Sequence, residues 1–546
     1  MTALEAAWDK LHSEAARLKP VHLRELFAAD AGRFDTLSAR LDDLLVDFSK
    51  EKLDAPALDA LLALARAAGV ERRRDAMFAG EKVNTTEGRA ALHMALRGGA
   101  GERVLVDGDD IMPGVVETRA RFLAFAGEVR AGRFASVSGE PFSDVIAIGI
   151  GGSALGPELA TRALAPWHDG PRLHFVANID GADLADTLKP LDAARTLVVV
   201  ASKSFTTDET MTNARSARAW LAEALGAEAG GHLAAVSTNL AATREFGIED
   251  ARVFGFWDWV GGRFSVWSAI GLPLAIAIGA AGFRAFLDGA RRLDEHFRTA
   301  PLAANLPVLM ALIGIWRRNA MGWPTAALIP YDQRLARLPA YVQQIEMESN
   351  GKSVTLDGTP VACATAPVVW GAPGANSQHS FFQLLHQGAD TIPVDFLLAA
   401  EACDGVGGHH ARLAANAFAQ AAALAFGKDE AEVRAEMAAA GASSSEIDRL
   451  APHRACPGDR PSTTILYRRL DPSTLGRLMA LVEHKVAVQG AIWNINPFDQ
   501  WGVELGKSLA RRLLPTVQGK AAAAGLDAST TGLLAHYAAL RASGGE

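Results

Sequence analysis

Cysteine is scarce in this chain, and its pattern bears on fold and compartment. Only Cys363, Cys403 and Cys456 occur among 546 residues, and no two of them form a C-x-x-C pair. An odd, widely spaced set argues against a disulfide framework and is typical of proteins in a reducing compartment. The charged N-terminus also lacks the apolar core of a secretory signal. We therefore expect a cytoplasmic protein.

An excess of positive charge is missing as well. The chain has 54 Lys and Arg against 62 Asp and Glu, which gives a net charge of −8 at pH 7. Non-specific binding of nucleic acid needs a basic surface, so we expect no nucleic-acid partner. A small anionic ligand remains compatible with this charge, because a few local cations and backbone N–H groups suffice for one phosphate.

Long uncharged runs are rare, and residues 264–283 are the stretch that needs a membrane test. Twenty such residues could span a bilayer. The run contains Ser265, Ser268, Pro273 and several glycines, and no second run accompanies it. We expect a core helix and no membrane contact. No group of His and Cys has the spacing of a metal site, so we also predict no metal.

Short apolar runs alternate with helical stretches, which is typical of parallel sheets covered on both faces. The predicted strands lie at residues 145–148, 173–177, 196–201, 326–329, 368–370 and 391–393, and a helical stretch covers residues 413–425. The sequence therefore predicts an α/β fold with two doubly wound parallel-sheet domains and helical extensions at both ends.

Four segments follow from this pattern. Residues 1–110 read as helices and form an N-terminal extension packed on the large domain. Residues 111–285 form a first, smaller α/β domain, and residues 286–505 form a second, larger one. Residues 506–546 form a C-terminal helical extension. No linker composition marks the boundary between the two α/β domains.

A glycine-rich loop, residues 149–156, follows the first predicted strand of the smaller domain. Its glycines can expose N–H groups to an anion, and Ser153 can donate a hydroxyl hydrogen bond. Two other interpretations stay open. The loop overlaps a dinucleotide fingerprint, with Asp180 in place as a ribose-binding acid, or it is a plain tight turn.

A second loop favours a phosphate ligand. Four hydroxyls and one lysine cluster where another strand ends, which exceeds what a helix N-cap needs. These residues are Ser202, Lys203, Ser204, Thr206 and Thr207. We predict a compact phosphate cradle, since two serine-bearing loops at adjacent strand ends suit a sugar phosphate better than an extended dinucleotide.

Several titratable residues are candidates for substrate contact or proton transfer. Arg263 stands beside Gly262, where it could contact a substrate or form a structural ion pair. Glu346 and Glu348 are both candidate bases, and their spacing does not separate them. His379 ends a loop, and the pattern predicts a helix that begins there.

A further candidate group lies near the C-terminus. Gln500, Glu504 and Lys507 follow each other at i, i+4 and i+7, which predicts one polar helix face. Such a face is either an active-site wall or simply solvated surface.

Together these motifs resemble one family, phosphoglucose isomerase, in the same order along nearly the whole chain. The matching segments are residues 84–89, 149–153, 202–207, 258–271, 347–352 and 495–507. The resemblance implies an enzyme that interconverts glucose 6-phosphate and fructose 6-phosphate without metal or redox cofactor. It also implies a homodimer in which the partner subunit contributes His379 to the site.

The resemblance assigns a role to each candidate residue. Glu348 matches the base that moves the proton, and Arg263 matches the residue beside the developing charge. His379 and Lys507 match the ring-opening groups. The remaining substrate and phosphate contacts are Ser153, Ser202, Lys203, Ser204, Thr207, Gly262, Gln344 and Gln500.

The chain departs from the family pattern at a few positions. Ser204 replaces a usual threonine, Asp208 a usual glutamine, Ala372 a usual glutamate and Asp459 a usual asparagine. None of these changes removes a proposed catalytic group, but Ala372 bears on the loop before His379. Two other classes stay open: a non-catalytic regulator that binds sugar phosphates, and an NAD-dependent dehydrogenase built on residues 149–156.

Overall fold

The computed structural model describes residues 2–543, which divide into two compact units between Pro497 and Phe498. The larger unit contains both main sheets. The described strands, in chain order, are β1 Ser38–Leu41, β2 Leu44–Lys50, β3 Leu105–Val106, β4 Asp109–Asp110, β5 Asp144–Ile148, β6 Arg172–Val176, β7 Thr196–Ala201, β8 Leu233–Val236, β9 Val253–Phe254, β10 Thr325–Pro330, β11 Val368–Trp370, β12 Val394–Ala399 and β13 Ser462–Tyr467.

Helices surround the sheets. The α-helices, in chain order, are α1 Ala3–Leu18, α2 Leu23–Ala29, α3 Arg33–Thr36, α4 Ala55–Ala67, α5 Val70–Phe78, α6 Met112–Arg130, α7 Leu155–Ala163, α8 Gly181–Leu188, α9 Asp208–Leu225, α10 Leu240–Glu245, α11 Leu272–Thr299, α12 Leu306–Ile315, α13 Leu338–Val342, α14 Gly374–Ser377, α15 Phe382–Gln387, α16 His409–Phe426, α17 Glu430–Ala439, α18 Ser444–Arg454, α19 Pro472–Ile492, α20 Glu504–Val517 and α21 Ala528–Ser543. Two π-helices occur as well, at Trp316–Ala320 and Gln343–Glu348.

The first sheet has five parallel strands in the order β6-β5-β7-β8-β9. Every residue of β5 and β7 is buried. Continuous apolar strands of this kind are expected where helices cover both faces of a parallel sheet. The predicted α/β class with parallel sheets is therefore confirmed.

The second sheet has six strands in the order β1-β2-β13-β12-β10-β11. Its four strands β13, β12, β10 and β11 run parallel, whereas β1 and β2 form an antiparallel hairpin added beside β13. The prediction of helices alone over residues 1–110 is therefore wrong for β1 and β2, and also for the short strands β3 and β4, which form a separate two-stranded sheet. The domain boundaries stay predictions.

One strand of the second sheet begins later in the chain than the sequence predicts. The sequence placed it at residues 391–393, but β12 begins at Val394. Proline lacks an N–H for the ladder, so Pro393 stands before the strand rather than inside it. Its carbonyl still accepts a hydrogen bond from the amide of Ala327 at 3.0 Å.

The apolar run near residue 270 belongs to a core helix. Within residues 2–543, the helical stretch 269–299 is the one long and apolar enough to cross a membrane, and 72% of its apolar window is buried inside the protein. Gly279, with φ at 73°, breaks the helical geometry of α11 at its eighth residue. This agrees with the expected core helix.

The smaller unit, residues 498–543, consists of a short 3-10 turn, Trp501–Val503, followed by α20 and α21. No residue of α20 is buried in this chain, and Leu505 is 69% exposed.

Candidate active site

Strands β5 and β7 bring the two predicted ligand loops together. The strands are parallel neighbours, with Ile148 opposite Val200. Residues 149–153 follow β5 and residues 202–207 follow β7, so both loops leave the same edge of the sheet. The strand order reverses at β5, which has β6 on one side and β7 on the other. In doubly wound sheets, ligands bind at such a switch point.

Two glycines of the first loop allow close contact with other predicted site residues. Gly151 has φ at 56°, and a β-carbon there would lie 3.1 Å from Nε2 of Gln344. A β-carbon on Gly152 would lie 2.1 Å from the carbonyl of Gly262. Only glycine permits such backbone approach. The loop that carries Ser153 therefore packs directly against Gly262 and Gln344.

The hydroxyls of the second loop pair with one another. The Oγ of Ser202 lies 3.1 Å from Oγ1 of Thr207, and the Oγ of Ser204 lies 2.7 Å from Oγ1 of Thr206. Thr207 occupies the N-cap position of α9, yet its side chain makes no capping hydrogen bond. The hydroxyls thus gather at the positive end of a helix, where an anion is favoured.

Lys203 supplies a partly desolvated cation to the same loop. Its Nζ donates a hydrogen bond to the carbonyl of Trp257 at 3.0 Å and lies 5.4 Å from the centre of the Phe256 ring. Within residues 2–543, no carboxylate lies within ion-pair distance of this Nζ. Burial lowers the pKa of Lys203 below its usual 10.5, with the charge of Asp258 opposing.

Arg263 is held rigidly below the glycine turn. It is 3% exposed, its Nε donates to Oγ of Ser349 at 2.6 Å, and Nη2 donates to the carbonyl of Pro497 at 2.7 Å. Its remaining Nη1 lies 3.6 Å from Oε2 of Glu348. The guanidinium is therefore preorganised beside this carboxylate.

The two candidate carboxylates have different surroundings. Glu346 is wholly buried, and its Oε2 accepts a hydrogen bond from Lys485 at 2.7 Å. Glu348 keeps 23% of its side chain exposed and faces Arg263. A carboxylate that reacts with a ligand must be reachable, so the geometry favours Glu348. Residue types and spacing alone left this distinction open, and only the motif resemblance had pointed to Glu348.

A scaffold that the sequence reasoning missed supports the end of this segment. Lys352 Nζ donates to the carbonyls of Glu348, Ser349 and Asn496, at 3.1, 2.8 and 3.2 Å. Asn496 in turn donates to Oδ1 of Asn84 at 2.8 Å. All of these residues lie in the segments that resemble the family motifs. This resemblance was the signal in the sequence that could have revealed them.

His379 stands apart from this cluster. It is exposed and lies in the turn between α14 and α15, so the predicted helix does not begin there. Within the described residues, no hydrogen bond or ion pair joins its side chain to Arg263, Glu348 or any other group. Nε2 of His386, in α15, lies 2.8 Å from Oε1 of Gln420.

Lys507 and Gln500 belong to the smaller unit. The Nζ of Lys507 lies 2.9 Å from Oε1 of Glu504, and both side chains are 51% exposed. Gln500 precedes the 3-10 turn that leads into α20, so it lies outside the helix. The predicted polar face of three residues is therefore limited to Glu504 and Lys507.

Metal ligands are not assembled in the part of the chain that the structure describes. Over residues 2–543, no three side chains of His, Cys, Asp or Glu form a group that could hold a metal ion.

The fold and its strand-end loops define a doubly wound α/β protein with a candidate ligand site at the carboxyl edge of its first sheet. The phosphoglucose isomerase family model matches residues 47–534. The chain belongs to the phosphoglucose isomerase family.

Individual relatives agree with this assignment. The glucose-6-phosphate isomerase of Mesorhizobium japonicum is 58% identical over 534 residues, which is 97% of each chain. That of Brucella canis is 56% identical over 542 residues, 99% of each chain. Among solved structures, a glucose-6-phosphate isomerase from Chlamydia trachomatis superposes with a TM-score of 0.84 at 32% identity, covering 99% of each chain. The resemblance drawn from the motifs is confirmed.

Proposed function

We propose that this chain is an aldose–ketose isomerase that interconverts D-glucose 6-phosphate and D-fructose 6-phosphate, in glycolysis and gluconeogenesis. Relatives at 55–58% identity that match nearly end to end carry the name glucose-6-phosphate isomerase. The observation that carries the proposal is the pairing of Glu348 with Arg263 at 3.6 Å. A reachable carboxylate beside a fixed cation suits proton abstraction next to a carbonyl.

The second loop would hold the phosphate. Its cradle consists of Ser202, Lys203, Ser204 and Thr207 together with the N-terminus of α9. A phosphate there would meet hydroxyl donors, a helix dipole and the Lys203 ammonium, which forms no ion pair with a carboxylate among the described residues. The sugar would then extend toward Ser153, Gly262 and Gln344. Gln500 is a further sugar contact that the family resemblance assigns.

Proton transfer is the role of Glu348. Its carboxylate takes the proton from C2 of the open-chain aldose, and the electrons of that bond form the C1–C2 double bond of a cis-enediol. Arg263 stabilises the negative charge that develops on the C1 oxygen. Glu348 then returns the proton to C1, while the hydroxyl proton moves from O2 to O1, which gives the ketose.

Ring opening precedes this step. It needs proton transfer at the ring oxygen and at the anomeric hydroxyl, and His379 and Lys507 are the residues assigned to it. The exposure of His379, with no side-chain partner in the described residues, is compatible with a histidine that serves the site of a second subunit. We infer a homodimer with His379 contributed across the interface.

The cellular location and the domain organisation that the sequence predicts are part of the same proposal. The protein acts in the cytoplasm. Its chain is organised as an N-terminal extension to residue 110, α/β domains over residues 111–285 and 286–505, and a C-terminal extension from residue 506.

A coupled assay tests the proposal directly. Fructose 6-phosphate is supplied to the purified chain, and glucose 6-phosphate is detected by a coupling dehydrogenase after treatment of the isomerase with a chelator. We expect turnover at ordinary enzymatic rates, about 1–10³ s⁻¹. A folded protein without turnover would contradict the proposed activity.

A further inference from the structure

The segment that carries Gln344 and Glu348 is a π-helix, Gln343–Glu348, which continues from α13. Widened turns of this kind are rare and often occur at functional sites. Burial repeats along it every four residues: Gln344 and Glu348 are half-buried, whereas Glu346 is buried on the opposite side. Whatever fixes the rotation of this helix therefore fixes the direction of Glu348.

A buried ion pair ties the inner side of the π-helix to α19. The Nζ of Lys485 lies 2.7 Å from Oε2 of Glu346, and their side chains are 13% and 1% exposed. Burying both charges carries a desolvation penalty, and an apolar pair of similar volume is often at least as stable. Stabilisation of the fold is therefore a weak explanation for the Glu346–Lys485 ion pair. Control of the geometry of the π-helix explains the pair better.

A second contact reinforces the same side. The amide of Asn350 donates to the carbonyl of Val486 at 3.1 Å and to Oε1 of Gln489 at 3.2 Å, and both partners lie on α19. Helix α12 closes the space behind them, since a β-carbon on Gly314 would lie 2.4 Å from Nε2 of Gln489. The inner side of the π-helix is thus fixed against α19.

A cavity of about 30 Å³ borders both Glu346 and Lys485. That volume has room for a small number of water molecules beside the ion pair.

We propose that Glu346 and Lys485 are a positioning pair for the base: by holding the π-helix against α19, they aim Glu348 at Arg263. This inference rests on the proposed function, in which Glu348 moves the proton. Neither Glu346 nor Lys485 touches substrate, and each acts through the placement of Glu348. Loss of the pair lets the carboxylate turn away from C2.

The inference predicts a specific kinetic pattern. A misplacement of about 1 Å can lower a rate about 100-fold. Because the phosphate loop lies on other strands, KM is expected to change by less than about threefold. The isotope effect with glucose 6-phosphate deuterated at C2 is expected to rise, since proton abstraction becomes slower than the other steps.

The experiment compares Glu346→Gln, Lys485→Met, the double variant and Lys485→Arg. The double variant removes both charges, so it avoids the uncompensated buried charge that can unfold a single variant. We expect it to melt near the wild-type temperature and yet to lose kcat about 100-fold. Lys485→Arg keeps the ion pair and is expected to retain kcat within about threefold.

A matched control lies on the same helix. Arg477 of α19 is buried and forms an ion pair with the more exposed Asp43 at 2.6 Å, and among the described residues it makes no hydrogen bond to the π-helix. Arg477→Met is expected to lower the melting temperature while leaving kcat unchanged. An equal loss of kcat in this control would indicate a general structural effect and overturn the inference.

A crystal structure of the double variant separates this inference from the proposed function. We expect Glu348 to have moved away from Arg263 there. An unmoved Glu348, or a double variant with wild-type kcat, would overturn the positioning role. Absence of isomerase activity in the wild-type protein would instead contradict the proposed function. The position of Glu348 in the crystal structure of the double variant would still test whether Glu346 and Lys485 position it.

Discussion

Gly152 and Gly262 lie so close that no side chain fits between their backbones: a β-carbon on Gly152 would be 2.1 Å from the Gly262 carbonyl. Arg263 follows Gly262 directly, and its Nη1 lies 3.6 Å from Glu348. The glycine loop after β5 therefore sets the position of the arginine as well as offering its own N–H groups to a ligand.

Replacing Gly152 with alanine should displace the turn that carries Arg263. Because the clash is with backbone, the neighbour cannot rotate away. We expect kcat/KM to fall about 100-fold, since small displacements of catalytic groups have effects of this size. Steady-state kinetics with fructose 6-phosphate measure the loss.

Gly127→Ala is the matched control for this change. Gly127 lies inside α6, and a β-carbon there would meet nothing within 4 Å. We expect unchanged kinetics and a gain in stability of about 0.5–1 kcal/mol, because alanine favours helix over glycine. A wild-type kcat/KM for Gly152→Ala would refute the close-contact explanation.

Thr207→Val should weaken phosphate binding with little effect on stability. The threonine hydroxyl makes no capping hydrogen bond to α9 and pairs only with Oγ of Ser202 among the described residues, so its loss should change the free energy of unfolding by about 1 kcal/mol at most. A hydrogen bond to a charged phosphate is worth about 1.5–3 kcal/mol, which corresponds to at least a tenfold loss of affinity.

Calorimetric titration with inorganic phosphate and thermal unfolding measure the two effects of Thr207→Val. Thr187→Val is the control, because that hydroxyl bonds to the Asp183 carbonyl on α8, away from the loop. Undiminished phosphate affinity in Thr207→Val would exclude this threonine from the cradle.

The pH dependence of substrate capture should reflect Lys203. Burial disfavours the charged ammonium, so the pKa of Lys203 lies below its usual 10.5. The cation is present at neutral pH and is lost as the pH rises through the lowered pKa. We therefore expect kcat/KM to decline at alkaline pH before an ordinary lysine would titrate.

Lys203→Met checks this assignment. The variant should have a low kcat/KM at neutral pH and no alkaline decline of its own, because its side chain does not titrate. A decline with the same midpoint in wild type and variant would assign the titration to a different group.

Mixed dimers test the source of His379. One subunit carries Glu348→Gln and the other carries a substitution of His379, with different affinity tags for purification of the heterodimer. If the histidine crosses the interface, one of two sites is intact and the heterodimer has about half the wild-type activity. If it serves its own subunit, both sites are defective and the heterodimer is inactive.

The sequence predicted three of the five strands of the first sheet, β5, β6 and β7, from their apolar runs, and it missed the shorter strands β8 and β9. The predicted strand 196–201 coincides with β7, whose residues are all buried. Strand β2 was missed because Leu44–Lys50 lies among strongly helical patterns. Its strand conformation depends on pairing with β13, more than 400 residues away along the chain.

The candidate site shows the same limit. Loop chemistry at residues 202–207 is local and could be recognised from residue types. The distinction between Glu346 and Glu348 depends on Lys485 and Arg263, which are distant in sequence. Residue spacing contains no information on such tertiary contacts, so the motif resemblance pointed to Glu348, and the fold gives the physical reason for separating the two carboxylates.

The central claim, that Glu348 moves the proton, is tested most directly by hydrogen exchange in Glu348→Gln. Wild-type protein in D₂O should incorporate deuterium at C2 of glucose 6-phosphate, which proton NMR follows as loss of the C2 signal. The variant should lose exchange and turnover together, by about 10²–10⁴-fold. Its affinity for the sugar phosphate should stay within about tenfold, because the phosphate loop is untouched. Exchange at nearly the wild-type rate in Glu348→Gln would contradict the account.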